Sequence, residues 1–287
     1  INARAGQTLQ KEKEPEKRDP AAAAENNFRI LTLGMINHKD MYRFAYRIYD
    51  HGSRTLDKEI IKPTFSEPDL EDFMDYIVAR HHNIDLIGLA MPGVTYHGTL
   101  NHPQYGFFNE NIGRDLSAKY GIPVILLNDV NAIALGYQAM NPGTDDMVFY
   151  FQPKGDSKAG AGVILDGRLR TGYRHNAGEI ASVIDMSVAG AEKKIMTPEG
   201  AMEIVCAGLL SYICTIAPQK IVLYSDLTPN TEEIREYLSR YIDPGYIPEI
   251  EHVDRLKTYM MPGTMQRCLQ VITEKKEWIE EVKKNAG

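Results

Sequence analysis

Hydrophobic and polar positions repeat with two different periods along this chain. Residues 40–51, DMYRFAYRIYDH, alternate apolar and polar positions, as a half-buried antiparallel strand does. Residues 67–82 instead place Leu70, Phe73 and Ile77 three to four positions apart, which is the spacing of an amphipathic helix. The chain therefore contains both kinds of element, and the boundaries between them can be followed through glycine and proline residues.

The same patterns predict the remaining elements. We predict strands over 28–36, 85–93, 122–129, 146–152, 160–169 and 219–227. We predict helices over 111–121, in the segment after Asp129, and over 198–218, 231–242 and 264–285. Asp166-Gly167 is a hairpin turn signal, and Thr231 is the expected N-cap of its helix. Because strands and helices alternate, the predicted fold class is α/β.

The elements form two α/β units of similar order, which predicts two domains. Residues 1–27 carry alternating charges and an alanine run, so we interpret them as a linker or tail. We expect a first lobe over 28–136 and a second over 137–269, with a helix at about 270–287 that packs back on the first lobe. The chain begins without Met, so we expect a processed or truncated protein.

Composition narrows the class of protein. Hydrophobic residues make up 43% and charged residues 25%, a normal globular balance without a secretory or membrane-spanning apolar run. An odd number of cysteines, Cys206, Cys214 and Cys268, fits a reducing cytoplasm and no disulfide framework. The net charge of −7 argues against binding of nucleic acid by this chain alone. A local basic patch is still compatible with that net charge.

Asn128-Asp129 lies where a predicted strand passes into a predicted helix, in LLNDVNAIALG (126–136). Such a carboxylate is often only a helix N-cap. Strand ends in α/β sheets also form ligand crevices, where a carboxylate and an amide can share a diol, or a carboxylate can take a proton from an attacking hydroxyl. A helix N-terminus lowers the carboxyl pKa and burial raises it, so the sequence leaves the direction open.

Two further stretches carry candidate chemistry. Gly160 and Gly162 in AGAGVILDG could bring backbone close to a phosphate, although glycine in a strand more often serves a bulge or close packing. Glu179 in NAGEI (176–180) could accept hydrogen bonds from sugar hydroxyls, although a lone loop glutamate is usually solvated. His175 beside it is likewise more often a surface residue than a ligand.

Taken in order, four stretches resemble the ROK family of repressors, open reading frames and sugar kinases. They are LIGLAMPGV (86–94), the run from HPQYGFFNEN to VNAIALG (102–136), AGAGVILDGRLRTG (159–172) and NAGEI (176–180). The resemblance implies an actin-like, hexokinase-like fold, related to ribonuclease H, with two lobes around a central cleft. It implies a sugar site lined by Asn128, Asp129 and Glu179, with Gly93 and Gln104 near the ring. We also count His175 among the candidate sugar-binding residues. In kinases of the family the residue that matches Asp129 is the catalytic base.

The sequence departs from the family kinases where ATP and Mg²⁺ bind. Their first strand leads into an Asp-x-Gly-Gly-Thr type loop, whereas this chain has LGMINHKDMYRF (33–44), with Asn37, His38 and Lys39 expected in the turn. Backbone N–H groups cannot cradle phosphate there in the same way. Near 224–226 the kinases have a Gly-Gly pair beside adenosine, and this chain has Tyr-Ser-Asp.

The zinc-binding part of the family pattern is also missing. The family usually has Gly-His after Gly-Glu-Ile, where the histidine binds sugar and a structural zinc, and this chain has Ala181-Ser182. Cys206 and Cys214 have no zinc spacing. We therefore expect no metal and no cofactor, with ATP and Mg²⁺ only if the chain is a kinase.

These departures favour a sugar-sensing effector domain of a ROK-type transcriptional regulator, similar to repressors of the N-acetylglucosamine or xylose type. It would be cytoplasmic and dimeric, would not bind membranes, and would reach DNA only through an N-terminal winged helix-turn-helix that is missing here. The alternative is an ATP-dependent sugar kinase with an unusual nucleotide loop, in which Asp129 is the base and Gly160 and Gly162 hold phosphate. A third hypothesis is a degenerate scaffold that binds no sugar.

Overall fold

The computed structural model describes residues 28–38, 41–50, 53–62, 66–101, 111–152, 159–228 and 230–285. These residues divide between two compact units. The first unit contains the residues up to Asp129 together with those from Thr264 onward, and the second runs from Val130 to Gly263. Both boundaries fall inside helices, as do the expected boundaries at residues 136 and 269. The linker predicted for residues 1–27 lies outside the described residues.

The first unit is built around a mixed five-stranded sheet of order β3-β2-β1-β4-β7. Its strands and helices are β1 (Arg29–His38), β2 (Met41–Asp50), β3 (Ser53–Lys62), α1 (Glu67–Arg80), β4 (Leu86–Met91), β5 (Val94–Tyr96), β6 (Thr99–Asn101), α2 (Ile112–Tyr120) and β7 (Val124–Asn128). β1, β2 and β3 pair antiparallel, whereas β4 and β7 run parallel to β1. The alternating pattern of 40–51 thus forms the predicted antiparallel strand.

Both faces of this sheet are covered, because buried apolar residues point to each side. α1 and α2 pack on one face through a cluster that includes Leu31, Tyr46 and Phe73. On the other face, Ile30 and Leu86 pack with residues of the C-terminal helices, among them Cys268. α1 starts at a capping box, in which the Ser66 side chain accepts from the Asp69 N–H and the Asp69 carboxylate accepts from the Ser66 N–H.

The second unit has a five-stranded sheet of order β10-β9-β8-β11-β12. The elements of the remaining chain are α3 (Asp129–Met140), β8 (Met147–Gln152), β9 (Gly160–Leu165), β10 (Arg168–Leu169), α4 (Ala181–Ser187), α5 (Ala191–Lys194), α6 (Pro198–Ile216), β11 (Lys220–Ser225), α7 (Thr231–Leu238), β12 (Glu249–His252), α8 (Leu256–Glu274) and α9 (Lys276–Asn285). β8, β11 and β12 are parallel, and β9 is antiparallel to β8. The Asp166-Gly167 turn joins β9 and β10 with both residues at positive φ, as predicted.

α6 is the central helix of the second unit. Its buried residues Ile204, Val205 and Leu209 pack with sheet residues such as Val148 and Leu223 in one core cluster. By length and composition alone α6 could also cross a membrane, but 50% of its apolar window is buried inside the second unit. A core helix meets the same criteria, so the packing of α6 accounts for its apolar character.

Two helix predictions were wrong in detail. The N-cap of α7 is Asn230, whose side-chain oxygen accepts from the backbone N–H of Glu232 and Glu233, and not Thr231, which is the first helical residue. The predicted helix over 264–285 is two helices, α8 and α9, and α8 begins earlier, at Leu256. The earlier start was missed because Pro262 and Gly263 normally interrupt a helix.

Glycine at position 263 has a packing reason. A Cβ there would lie 1.7 Å from the carbonyl oxygen of Ala132 in α3, and a Cβ on Gly136 would lie 1.8 Å from the carbonyl oxygen of Tyr259 in α8. The backbones of α3 and α8 therefore touch with no side chain between them, and only glycine fits at either position.

Candidate functional site

Asn128 is the last residue of β7, and Asp129 is the first residue of α3. In the parallel pairing of β4 and β7, Asn128 lies opposite Met91, so both strands end at the same edge of the sheet. The Asn128 amide donates from Nδ2 to the carbonyl oxygen of Gly93, 3.0 Å away. Gly93 has a φ of 112°, which L-residues rarely adopt. The strand-to-loop turn after β4 is thus fixed to the end of β7.

Asp129 occupies the positive end of the α3 dipole, which favours the charged carboxylate. Both Asn128 and Asp129 are partly exposed to solvent. The sequence predicted this placement of an amide and a carboxylate at a strand-to-helix turn, and the structure brings them together there. An amide donor beside a carboxylate acceptor can bind adjacent hydroxyls, and the carboxylate can also accept a proton.

The loop that carries Glu179 in the second unit is held against β9. A Cβ on Gly178 would lie 1.9 Å from the carbonyl oxygen of Ala161, and Gly178 has a φ of 98°. The Gly178 carbonyl in turn accepts from the Ala161 N–H at 2.9 Å. A glycine is therefore required just before Glu179, by close approach and by backbone conformation together.

His175 lies upstream in the same loop. It ends a short 3-10 helix, Tyr173–His175, and both Arg174 and His175 have positive φ, at 51° and 59°. Two consecutive non-glycine residues in this region store backbone strain. His175 is partly exposed, whereas the Tyr173 side chain is 86% exposed.

Glu179 has an unusual electrostatic environment for a loop residue. Among the described residues, its carboxylate has no hydrogen-bond or ion-pair partner. Glu179 is exposed to solvent as a residue, yet the surrounding protein partly desolvates its carboxyl and raises its pKa. The carboxylate also contributes to the raised pKa of Tyr212 on α6, although burial is the larger cause. An unpaired, partly desolvated acceptor of this kind is suited to ligand hydroxyls.

The two glycines of AGAG lie on β9 and differ in their surroundings. A Cβ on Gly162 would lie 2.5 Å from the Cβ of Ala134 and 2.9 Å from the Val130 carbonyl oxygen, both in α3. A Cβ on Gly160 would meet only a methyl group of Val130, at an ordinary 3.6 Å. Close packing of β9 against α3 thus accounts for Gly162, and a phosphate contact at either glycine stays a prediction.

The prediction that Asn37 and His38 occupy the turn after the first strand was wrong. Both lie in β1, where Asn37 pairs with Tyr42 and His38 pairs with Met41 of β2. Strand pairing therefore continues to the end of β1, and residues 39–40 alone connect it to β2. Lys39, the third residue expected in the turn, lies outside the described residues.

The Tyr-Ser-Asp stretch at the end of β11 forms a compact polar turn that the sequence did not predict. The Ser225 hydroxyl accepts from the backbone N–H of Leu227 at 3.2 Å and of Thr228 at 3.3 Å, and the Thr228 hydroxyl donates to it at 3.2 Å. His252, at the end of β12, donates from Nε2 to the Ser225 carbonyl oxygen at 3.0 Å. The signal available in the sequence was Ser225 at a strand end with Thr228 three positions later, since such side chains often bond to nearby backbone.

Gln104, expected near the sugar ring, lies outside the described residues. Cys206 and Cys268 are buried, and burial raises the pKa of both thiols to about 12, so neither is a reactive thiolate. Within the described part of the chain, no group of three or more His, Cys, Asp or Glu residues could hold a metal ion.

The chain belongs to the ROK family, whose sequence profile matches residues 44–194, more than half of its length. This match confirms the resemblance and covers the Asn128 corner and the Glu179 loop. The search of curated proteins found no match.

Solved structures of the family share the fold of this chain. A ROK hexokinase from Thermus thermophilus has 17% identity and a TM-score of 0.64, over 86% of this chain and 100% of that one. A ROK glucokinase from Streptomyces griseus, in complex with glucose and AMPPNP, has 16% identity and a TM-score of 0.63, over 84% of this chain and 99% of that one.

A third similar structure is a ROK transcriptional regulator, a homologue of the E. coli MLC protein. It has 16% identity and a TM-score of 0.62, over 85% of this chain and 79% of the regulator. At these identities the three structures establish the fold, which is the actin-like, hexokinase-like α/β fold expected from the sequence. Kinases and a regulator both have this fold, so it is compatible with either function.

Proposed function

We propose that this chain is the sugar-sensing effector domain of a ROK-type transcriptional regulator. The pairing of β1 with β2 up to His38 and Met41 carries this proposal. A phosphate loop needs several backbone N–H groups that point at the ligand. Here the backbone groups of β1 that face β2 are used in sheet pairing up to His38, so they are not available as donors to a nucleotide.

The Ser225 turn supports the same proposal. Its hydroxyl already takes the backbone N–H groups of Leu227 and Thr228, which would otherwise be donors at the end of β11. The ends of parallel strands are where α/β sheets usually bind ligands. A kinase must position both ATP and Mg²⁺. At the end of β11, the Ser225 side chain occupies backbone donors that could otherwise contact a nucleotide.

The residues that the family resemblance assigns to the sugar site carry groups suited to a sugar. We propose that the ligand is a sugar or sugar derivative, as the family resemblance implies. The proposed contacts are Asn128, Asp129, Glu179, Gly93, Gln104 and His175. Amide and carboxylate groups suit this role, because sugar hydroxyls both donate and accept hydrogen bonds. Ligand binding would shift the conformational equilibrium of a homodimer, and an attached winged helix-turn-helix would transmit the change to DNA in the cytoplasm.

The placement of Asp129 favours a second candidate function, an ATP-dependent sugar kinase. A carboxylate at a helix N-terminus beside a sugar could act as the base that takes the proton of the attacking hydroxyl. Gly160 and Gly162 would then lie near phosphate, with ATP and Mg²⁺ as cofactors. The paired β1–β2 edge weighs against this candidate.

A thermal-shift panel tests the proposal. Hexoses, pentoses, N-acetylated sugars and their phosphates would be added with and without ATP and Mg²⁺. Binding at one hundred times Kd stabilises the folded state by about 2.7 kcal/mol, which is readily measured. We expect a shift with one sugar class and none with ATP-Mg²⁺. A shift with ATP-Mg²⁺ and release of ADP would overturn the sensor and support the kinase.

Two variants sharpen this test. Glu179→Gln keeps the size of the side chain and removes its charge, so the sugar-induced shift should be strongly reduced. Asp129→Asn should likewise weaken sugar binding, and it should abolish any phosphoryl transfer if the chain is a kinase. Unchanged sugar binding in both variants would show that Glu179 and Asp129 do not contact the sugar. No shift with any ligand in the wild-type protein would favour the scaffold that binds no sugar.

A further inference from the structure

Three cationic side chains surround the C-terminal end of α1 in the first unit. Arg29 begins β1, Lys58 lies in β3, and Arg80 is in the last turn of α1. We call Arg29, Lys58 and Arg80 the cationic cluster. His81 and His82 follow directly in the chain and add two imidazoles to the same region.

Neutral groups hold the three cations in place. The Lys58 ammonium donates to the Tyr76 hydroxyl at 2.7 Å, and the Arg80 guanidinium lies 3.8 Å from the Tyr76 ring centre. Arg29 donates from its guanidinium to the backbone carbonyl of His82 at 2.9 Å. These contacts fix the side chains without cancelling their charges.

No carboxylate neutralises the cluster within the described part of the chain, where none of the three cations has an ion pair. Asp85 accepts a hydrogen bond from the Arg29 backbone N–H, but its charge is paired with Lys283. Burial lowers the pKa of His81, and the nearby charges of Arg29, Lys58, Arg80 and His82 lower it further. The local potential is therefore positive on a chain whose net charge is −7.

Lys119 in the same unit shows the ordinary alternative. Its ammonium lies 3.0 Å from the Glu71 carboxylate and 3.1 Å from that of Asp75, so its charge is neutralised. The helix dipole explains a preference for some cations at the end of α1. It does not explain why Arg29 and Lys58 come to this point from two different strands, where none of the described carboxylates forms an ion pair with either side chain.

We propose that the cationic cluster binds phosphate groups of the backbone of double-stranded DNA. Arginine and lysine are the usual donors to such phosphates, and fixed side chains lose little entropy on binding them. Arg29 comes directly after Phe28, where the chain enters the first unit from its N-terminal segment. The inference rests on the proposed function, in which a DNA-binding part is attached through that segment. The cluster would then add sequence-independent contacts beside the operator.

Salt dependence of DNA binding tests the inference. The full chain would be titrated into a fluorescently labelled duplex of about two helical turns, and anisotropy measured over a range of salt concentrations. Each phosphate contact contributes about −0.9 to the slope of log K against log salt. The double variant Lys58→Ala/Arg80→Ala removes two contacts, so its slope should be shallower by about 1.8. The matched control, Lys119→Ala/Arg170→Ala, removes a lysine and an arginine that are paired with carboxylates and should leave the slope unchanged.

Equal slopes in the wild type and in Lys58→Ala/Arg80→Ala would overturn the inference. So would competition by a polyglutamate peptide that matches competition by unlabelled duplex, because the cluster would then fit an acidic protein. Equal competition by inorganic phosphate at the same charge concentration would also overturn the inference, because the cluster would then be a general anion site. The sugar-induced thermal shift would be measured on the same variants. If the wild type keeps the sugar-induced thermal shift but does not bind DNA, the inference alone is overturned. If the wild type shows no sugar-induced thermal shift, the proposed function is overturned.

Discussion

Asn128 in the first unit and Glu179 in the second are both positioned by a glycine with positive φ, but their side chains differ in what they already bind. The Asn128 amide donates to the carbonyl of Gly93, so it ties two strand ends together whether or not a ligand is present. The Glu179 carboxylate has no partner among the described residues and is partly desolvated. The Asn128 side chain therefore has a structural role, whereas the Glu179 side chain carries an acceptor that no described residue uses.

The largest expected effect comes from removing the glycine that positions Glu179. Gly178→Ala would place a Cβ 1.9 Å from the Ala161 carbonyl at a φ of 98°, so the loop must leave β9. We expect a loss of roughly 3 kcal/mol in the free energy of unfolding, measured by urea denaturation. Gly190→Ala is the control, because Gly190 also has positive φ but has nothing within 4 Å. It should cost only about 1 kcal/mol, and equal losses would show that conformation, not contact, fixes the loop.

The second effect concerns the Asn128 corner. Asn128→Asp keeps the shape of the side chain and replaces the donor that faces the Gly93 carbonyl with an acceptor. We expect a loss of about 2 kcal/mol, because the carbonyl loses its partner and faces a carboxylate oxygen. Asn83→Asp introduces the same charge at an exposed position and serves as the control. Comparable losses in both variants would mean that net charge, not the corner, sets the result.

The smallest effect is a pH dependence at Glu179. Its pKa is raised in the folded state, so between the unfolded and folded pKa values the folded protein binds more protons than the unfolded chain. Stability from this group is therefore present at low pH and lost as pH rises through the folded pKa. Relative to Glu179→Gln, the wild type should become less stable as pH rises above about 4.5, the ordinary value for glutamate. A difference between the two proteins that stays constant with pH would contradict the desolvation of this carboxyl.

The sequence predicted the α/β class and most elements, because burial imposes a clear period on strands such as β2 and helices such as α1. β3 was missed, since SRTLDKEIIK mixes charged and apolar positions and forms a strand by pairing with β2 at the edge of the sheet. The start of α8 was missed because tertiary contact with α3 overrides the local effect of Pro262 and Gly263. Such long-range causes leave no local pattern.

The candidate site was predictable to a similar degree. Asn128 and Asp129 could be found because a strand-to-helix turn is a local feature of the sequence. The continuation of β1 to His38 could not, because it depends on pairing with β2 and the family resemblance suggested a turn there. The Ser225 turn was also missed, since its hydrogen bonds to Leu227 and Thr228 depend on the exact path of the backbone after β11.

The contact between α3 and α8 has a consequence for how substitutions in this family are interpreted. Gly136 and Gly263 lie where two backbones touch, so no neighbouring side chain can move aside for a new methyl group. In a saturation mutagenesis screen these positions should therefore tolerate substitution as poorly as residues that bind a ligand. Gly136 lies only a few residues after Asn128 and Asp129. Its intolerance to substitution would be caused by the close contact between two helices, and it could be mistaken for a role in ligand binding.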